Sequence, residues 1–133
     1  MIDLSFDSRA VMAQLLGSDA RRVGERLARL VIEALDDEDQ RQRIVGILRA
    51  ATVEADTARR IRDRVTTGLL EPIAASLGAG NAPLRADLVM SQIVGVALVR
   101  YVVGLEDVAS ATSEEMVSAL APTLQRYLVG DIS

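Results

Sequence analysis

Between Asp87 and Arg100 lie twelve consecutive residues without a charge, LVMSQIVGVALV, and this run limits what the chain can fold into more than any other. An amphipathic surface helix confines its apolar residues to one stripe of period 3.6. Here they point in every direction, so the helix must be covered all round. The run is shorter than the roughly 20 residues a membrane span needs, which makes protein the expected cover and membrane insertion not expected. A second apolar helix follows, with Val117, Leu120, Leu124, Tyr127 and Leu128 on one seam. Together these two helices, residues 84–128, carry more apolar surface than one protomer can bury. Charge thins out in the same direction: residues 1–83 hold 12 Arg and 13 acids, residues 84–133 only 3 Arg and 6 acids. Depletion of charge is what the core of a protein interface has. The expectation is a homodimer whose last two helices form a four-helix interface through Val89, Val96, Val99, Val103, Val117, Leu120, Leu124 and Leu128.

The same segment carries a family resemblance. The run RADLVMSQIVGVALVRYVV, an acidic-Ala-Ser turn and SEEMVSALAPTLQRYL resemble the end of the C-terminal regulatory domain of TetR-family transcriptional repressors, in the subtype common in high-GC actinobacteria. SDARRVGERLARL is similar, more loosely, to the opening of that domain, and residues 36–78 match in helix order more than in wording. Asp107 departs from the pattern, where relatives often carry proline. The resemblance implies an all-α bundle that dimerises and binds a small, largely apolar molecule among helices three to five. In the intact repressor the ligand would change the spacing of two DNA-reading heads. The three-helix reader of that family, with its Gly-Val-Ser-type turn and Tyr-Phe segment, has no counterpart here, since Phe6 is the only Phe. Residues 1–133 are therefore expected to be a single helical ligand-binding and dimerisation domain that makes no DNA contact itself.

Composition excludes much else. With no Cys and no His, thiolate nucleophiles, zinc fingers, Ser-His-Asp triads and histidine switches are out of reach. No catalytic residue, metal site or cofactor is expected. At 133 residues folding buries roughly two-thirds of the extended-chain surface, enough for one core without staples. The start MIDLSFDSR has neither the basic opening nor the apolar centre of a secretory signal, so the expected location is the cytoplasm. All 15 basic residues are Arg, a bias that fits a GC-rich genome.

Helix signals divide the chain into about six pieces, with no alternating strand pattern. Asp7 or Ser8 can cap a first helix closed by Gly17. Ser18 or Asp19 can cap a second, in which Val23, Leu27, Leu30, Val31 and Ala34 recur as a core face. The acids Asp36, Asp37, Glu38 and Asp39 suit a corner and the N-terminus of a third helix, whose face is Ile44, Ile47, Leu48 and Ala51; they lack the spacing and glycine of a calcium loop. Asp56 is the expected cap of a fourth helix to Leu77, with Ala58, Ile61, Val65 and Leu69 inward. Its arginines, Arg59, Arg60, Arg62 and Arg64, face water among interleaved acids, and net charge −4 argues against a nucleic-acid surface. Pro72 predicts a kink, which either wraps a core or, as the resemblance implies, helps open a ligand cavity between helices. GAGNAP, residues 78–83, breaks the chain, with Asn81 able to cap and Pro83 in a first turn. Thr112 and Glu115 form a capping box for the last helix, and Pro122 within it is a tolerated kink.

Candidate ligand-lining residues are Thr67 and Leu70 beside Pro72, and Met90 and Gln92 on the fifth helix. A flexible thioether and isolated polar groups on an apolar wall suit a permissive site; the competing reading is that these side chains fill the core. A stand-alone helical dimerisation protein, without DNA reader or ligand, is the alternative function.

Overall fold

A computed structural model describes residues 6–17 and 19–133, so the proposed cap Ser18 lies outside the described residues. Among the described residues the fold is made of eight α-helices: α1 Ser8–Leu16, α2 Val23–Asp36, α3 Glu38–Ala51, α4 Ala55–Ile61, α5 Glu71–Leu77, α6 Ala82–Leu98, α7 Glu106–Ser110 and α8 Ser113–Val129. Arg62–Leu70 joins α4 to α5 as one continuous rod, and Val99–Val103 extends α6; both wind with wide, π-type turns. The six expected helices are thus present, with the five-residue α7 added in the loop before the last one.

Local chemistry sets the ends. Asp7 accepts from the Arg9 and Ala10 N–H groups at the start of α1, Asp19 from the Arg21 N–H, and Asp37 from the Gln40 N–H at 2.9 Å. The capping box is reciprocal: the Glu115 N–H donates to Thr112 Oγ1 and the Thr112 N–H to Glu115 Oε1, each at 3.1 Å. Asn81 stands at the α6 N-cap with φ 54, left-handed, and Pro83 in its first turn. The expectation for Asp56 is corrected. The N-cap of α4 is Glu54, and the Asp56 carboxylate pairs instead with Arg59 and Arg60 one turn on. Pro72 likewise sits just after the irregularity, at the second position of α5. The ladder is already widened before it, with the Glu71 N–H donating to Thr66 O.

The frame of the molecule is three helices, α2, α6 and α8. Gly24 of α2 lies against Gln125 of α8, and Asp36 at the end of α2 accepts from Ser113 at the start of α8. Arg85 at the start of α6 meets Tyr127, and Arg100 at its far end meets Ala111. So α8 lies between α2 and α6, antiparallel to both. Contact with α2 is close enough that a Cβ on Gly24 would stand 2.5 Å from Gln125 N and 2.6 Å from Ala121 O. The core is built around that line from Val23, Leu27 and Ile32 of α2 and Val117, Leu124 and Leu128 of α8, joined by Leu70, Ile73, Ala86 and Val89. Arg85 is 5% exposed yet satisfied, donating to Gly80 O at 2.7 Å and Tyr127 O at 2.9 Å. Its charge sits where the last carbonyls of α8 carry partial negative charge.

Candidate ligand cavity and open helix face

On the other side of α2 the packing opens. A cavity of about 570 Å³ is walled by Leu30, Val31 and Ala34 of α2, Ile44, Ile47 and Leu48 of α3, Ile61 of α4, Val65, Leu69 and Leu70 of the wide segment, and Met90, Ile93, Val94 and Ala97 of α6. That volume falls in the range of small-molecule sites, about 300–1,000 Å³. Phe6, Val11, Leu27 and Leu35 also border the space, and the polar lining residues Glu33, Gln40 and Arg43 are exposed, so the polar groups stand at the mouth while the walls are apolar. The space follows from two local features. The apolar residues of α2 form two adjacent rows: Val23, Leu27, Ala28, Ile32 and Leu35 go into the core, while Leu30, Val31 and Ala34 are left half-buried. Across the gap, α3 fully buries only Ile47.

Of the residues expected to line a ligand site, Leu70 and Met90 are in the wall; Thr67 and Gln92 are not. Thr67 is exposed on the outside of the wide segment. Gln92 is two residues from Met90, hence about 200° away around the helix, and looks away from the cavity. The α3 residues Ile44, Ile47 and Leu48 were legible only as a core face, because a helical stripe facing a cavity and one facing a neighbour have the same period.

The contact residues expected for a second copy also divide. Val89 is 0%, Val117 3%, Leu124 1%, Leu128 0% and Val96 9% exposed within a single protomer, so these five are already covered by the protomer's own core. Leu120 and Val99 are half-buried, and Val103 is exposed. The seam of α8 is real, but α2 of the same chain fills it. What stays least covered is another face of α6, where Leu84, Leu88, Ser91, Gly95, Val99 and Val102 recur at helical spacing and are exposed or half-buried. At its centre, a Cβ on Gly95 would meet nothing within 4 Å. Ala82–Val103 as one rod is 22 residues, and its most apolar 18-residue window has mean hydropathy 1.6 with 22% of that window buried. By length and composition it is long enough to cross a membrane, a correction to the shorter uncharged run. Its core and cavity faces, and the anchoring of Arg85 to α8, place it within a helical bundle.

Electrostatics reinforce the frame. Arg29 of α2 and Glu114 of α8 pair at 2.7 Å; the guanidinium holds the Glu114 carboxyl below its ordinary value, and the Thr112 backbone N–H does the same for Glu115. Beyond the cavity, the guanidinium groups of Arg41 and Arg100 both stand over the Tyr101 ring, at 5.2 and 5.5 Å from its centroid.

Residues 21–128 match a family model described as the tetracyclin repressor-like C-terminal domain. Comparison with curated proteins and with solved structures returned no significant match.

Proposed function

Because the chain belongs to the tetracyclin repressor-like C-terminal domains, we propose that it is the effector-sensing and dimerisation domain of a cytoplasmic transcriptional repressor. Its DNA reader would be a separate module, and this domain would touch no DNA itself. The observation that supports the reading is that one helix, α6, borders the cavity on one side and is left largely uncovered on the other. Met90, Ile93, Val94 and Ala97 line the cavity, while Gly95 and its neighbours Leu88, Ser91 and Val99 form the uncovered face on the opposite side. A small apolar molecule that fits one packing of α6 better than another would shift the geometry of a dimer built on that helix, as coupling between two sites requires.

The homodimer surface in this reading is the outer face centred on Gly95, with Val99, Val102 and Val103, and not the buried seam of α8. Gly95→Arg is the test. The position is open in the protomer, so the variant should fold with an unchanged helical spectrum, whereas a charge in a closed apolar interface costs several kcal/mol. Sedimentation at micromolar concentration is expected to give dimers for the unaltered chain and monomers for Gly95→Arg. An unaltered chain that sediments as a monomer sinks the dimer. A thermal-shift screen of hydrophobic drugs, dyes and fatty acids tests sensing separately, since a ligand bound only by the folded state raises its melting temperature.

A further inference from the structure

The two helices that pack on either side of α2 are fastened to it unequally. Side chains tie α8 down along its length: Gln125 Oε1 accepts from the Gly24 N–H at 2.7 Å, Arg29 pairs with Glu114 at 2.7 Å, and Ser113 donates to Asp36. From α3 a single side chain reaches out. Nη1 of Arg41 donates to Leu35 O of α2 at 3.2 Å, and the same guanidinium stands 5.2 Å from the centroid of the Tyr101 ring, in the extension of α6, within cation–π range. Among the described residues no other side-chain hydrogen bond and no ion pair runs from α3 to another helix. The mouth of the cavity lies beside this contact: Glu33 is two residues from Leu35 on α2, and Gln40 and Arg43 flank Arg41 on α3. Arg100 stands over the same ring at 5.5 Å, and among the described residues no carboxylate pairs with either guanidinium. The like charge weakens the fastening. Since α3 fully buries only Ile47, little apolar burial opposes its local opening.

We propose that α3 is the gate of the cavity and Arg41 its latch: a ligand enters and leaves between α2 and α3 when Arg41 parts from Leu35 O and Tyr101. This rests on the ligand-sensing reading and adds how that site is opened. Arg41 does not line the cavity, so it acts on passage and not on the bound molecule. A gate is passed in both directions, and loosening it speeds entry and release together while the affinity stays nearly constant. A residue that touched the ligand, or one whose loss deformed the walls, would change the affinity instead. The α8 side offers no such route, because the backbones of α2 and α8 are in contact at Gly24.

The experiment reads the full chain in two ways, by backbone hydrogen exchange without ligand and by stopped-flow binding of Nile red, a neutral apolar dye. Arg41→Met keeps the apolar stem and removes the charge and the donors. It should speed exchange of the α3 amides roughly tenfold, as expected for the loss of a cation–π contact and a hydrogen bond, with the α8 amides unchanged. Association and release of the dye should both become about tenfold faster at a nearly constant dissociation constant. Tyr101→Leu removes only the ring and should act in the same direction by about threefold; it carries the test if Arg41→Met does not fold. Tyr101→Phe, which keeps the ring, and Arg43→Met, at the mouth but outside the latch, should match the unaltered chain. Unchanged α3 exchange in both Arg41→Met and Tyr101→Leu overturns the latch and leaves the cavity reading standing. Exchange that quickens in α8 as much as in α3, or weaker dye binding at an unaltered rate of entry, overturns the gate, since these mark general loosening and damaged walls. An unaltered chain that binds no Nile red overturns the cavity reading, and this proposal with it.

Discussion

Both α8 and α3 pack against α2, and they do so in opposite ways. Against α8, Gly24 removes the side chain at the crossing, so that backbones touch and Leu124 and Leu128 close over the contact with 1% and 0% exposure. Against α3 no glycine faces α2, long side chains hold the helices apart, and about 570 Å³ stays unfilled. Interior packing elsewhere in proteins leaves few voids larger than a water molecule, so the contrast is between a frame that cannot yield and a wall with room to move. Gly24 is enclosed by backbone on α8, whereas the glycine of α3, Gly46, lies on its exposed side, with nothing within 4 Å of its would-be Cβ.

The sharpest way to break the comparison is to add one methyl group at each. Gly24→Ala forces two backbones apart and should cost about 3 kcal/mol or more, read as a drop in melting temperature on the order of 10 °C. Gly46→Ala in an exposed helix turn should instead gain roughly 0.5–1 kcal/mol. A Gly24→Ala variant that melts no lower than the unaltered chain would mean that the α2–α8 contact is not closed as described, with the exposed Gly46→Ala as the control for an added methyl group. A smaller effect should come from filling the space. Val94→Phe, projecting from α6 into the cavity, is expected to raise stability by up to about 1 kcal/mol and to abolish any ligand-dependent rise in melting temperature; overpacking that lowers stability would indicate a wall as rigid as the α8 side.

The smallest effect separates the regions by pH. Glu114 and Glu115 both sit at the α8 end of the frame, and both are held below their ordinary 4.5. Carboxyls with depressed values add stability above the unfolded value that is lost as pH falls through the folded one. The unaltered chain should therefore be more stable than Glu114→Gln at pH 7, and the gap should close as the pH falls below about 4.5. Because Glu114 and Arg29 are well exposed, the gap should also shrink in high salt. A gap that widens in acid would contradict the sign.

What the chain made legible followed from rules of short range. Thr112 and Glu115, Pro83 and the caps Asp7, Asp19 and Asp37 stand where backbone donors need partners, and those needs are met within four residues. Stripes such as Val117, Leu120, Leu124 and Leu128 were legible as faces. Their neighbours were not, because periodicity tells which residues share a side and leaves open whether α2 or a second copy covers it. For that reason five of the eight expected contact residues turned out to be core. Gly24 carried no signal of its own, since a glycine inside a helix looks like a flaw until the helix crossing it is known.

The nine residues Arg62–Leu70 carry one further consequence, which is a matter of phase. A turn closed over five residues instead of four takes up one extra residue in the same axial length, and so resets the angular count along the rod. Upstream, Ile61 and Val65 address the cavity; downstream, Leu70, Ile73 and Ala74 are buried. Counted at an unbroken 3.6 per turn, the inward row Ile61, Val65, Leu69 would drift toward Pro72 and Ser76, the latter exposed. Wide turns let both halves point inward, and Gly68 permits this, since a Cβ there would stand 2.6 Å from Asp63 O. The rod therefore behaves as two helices spliced with an offset, so a single-residue deletion between 62 and 70 would turn one of the two apolar rows out toward solvent.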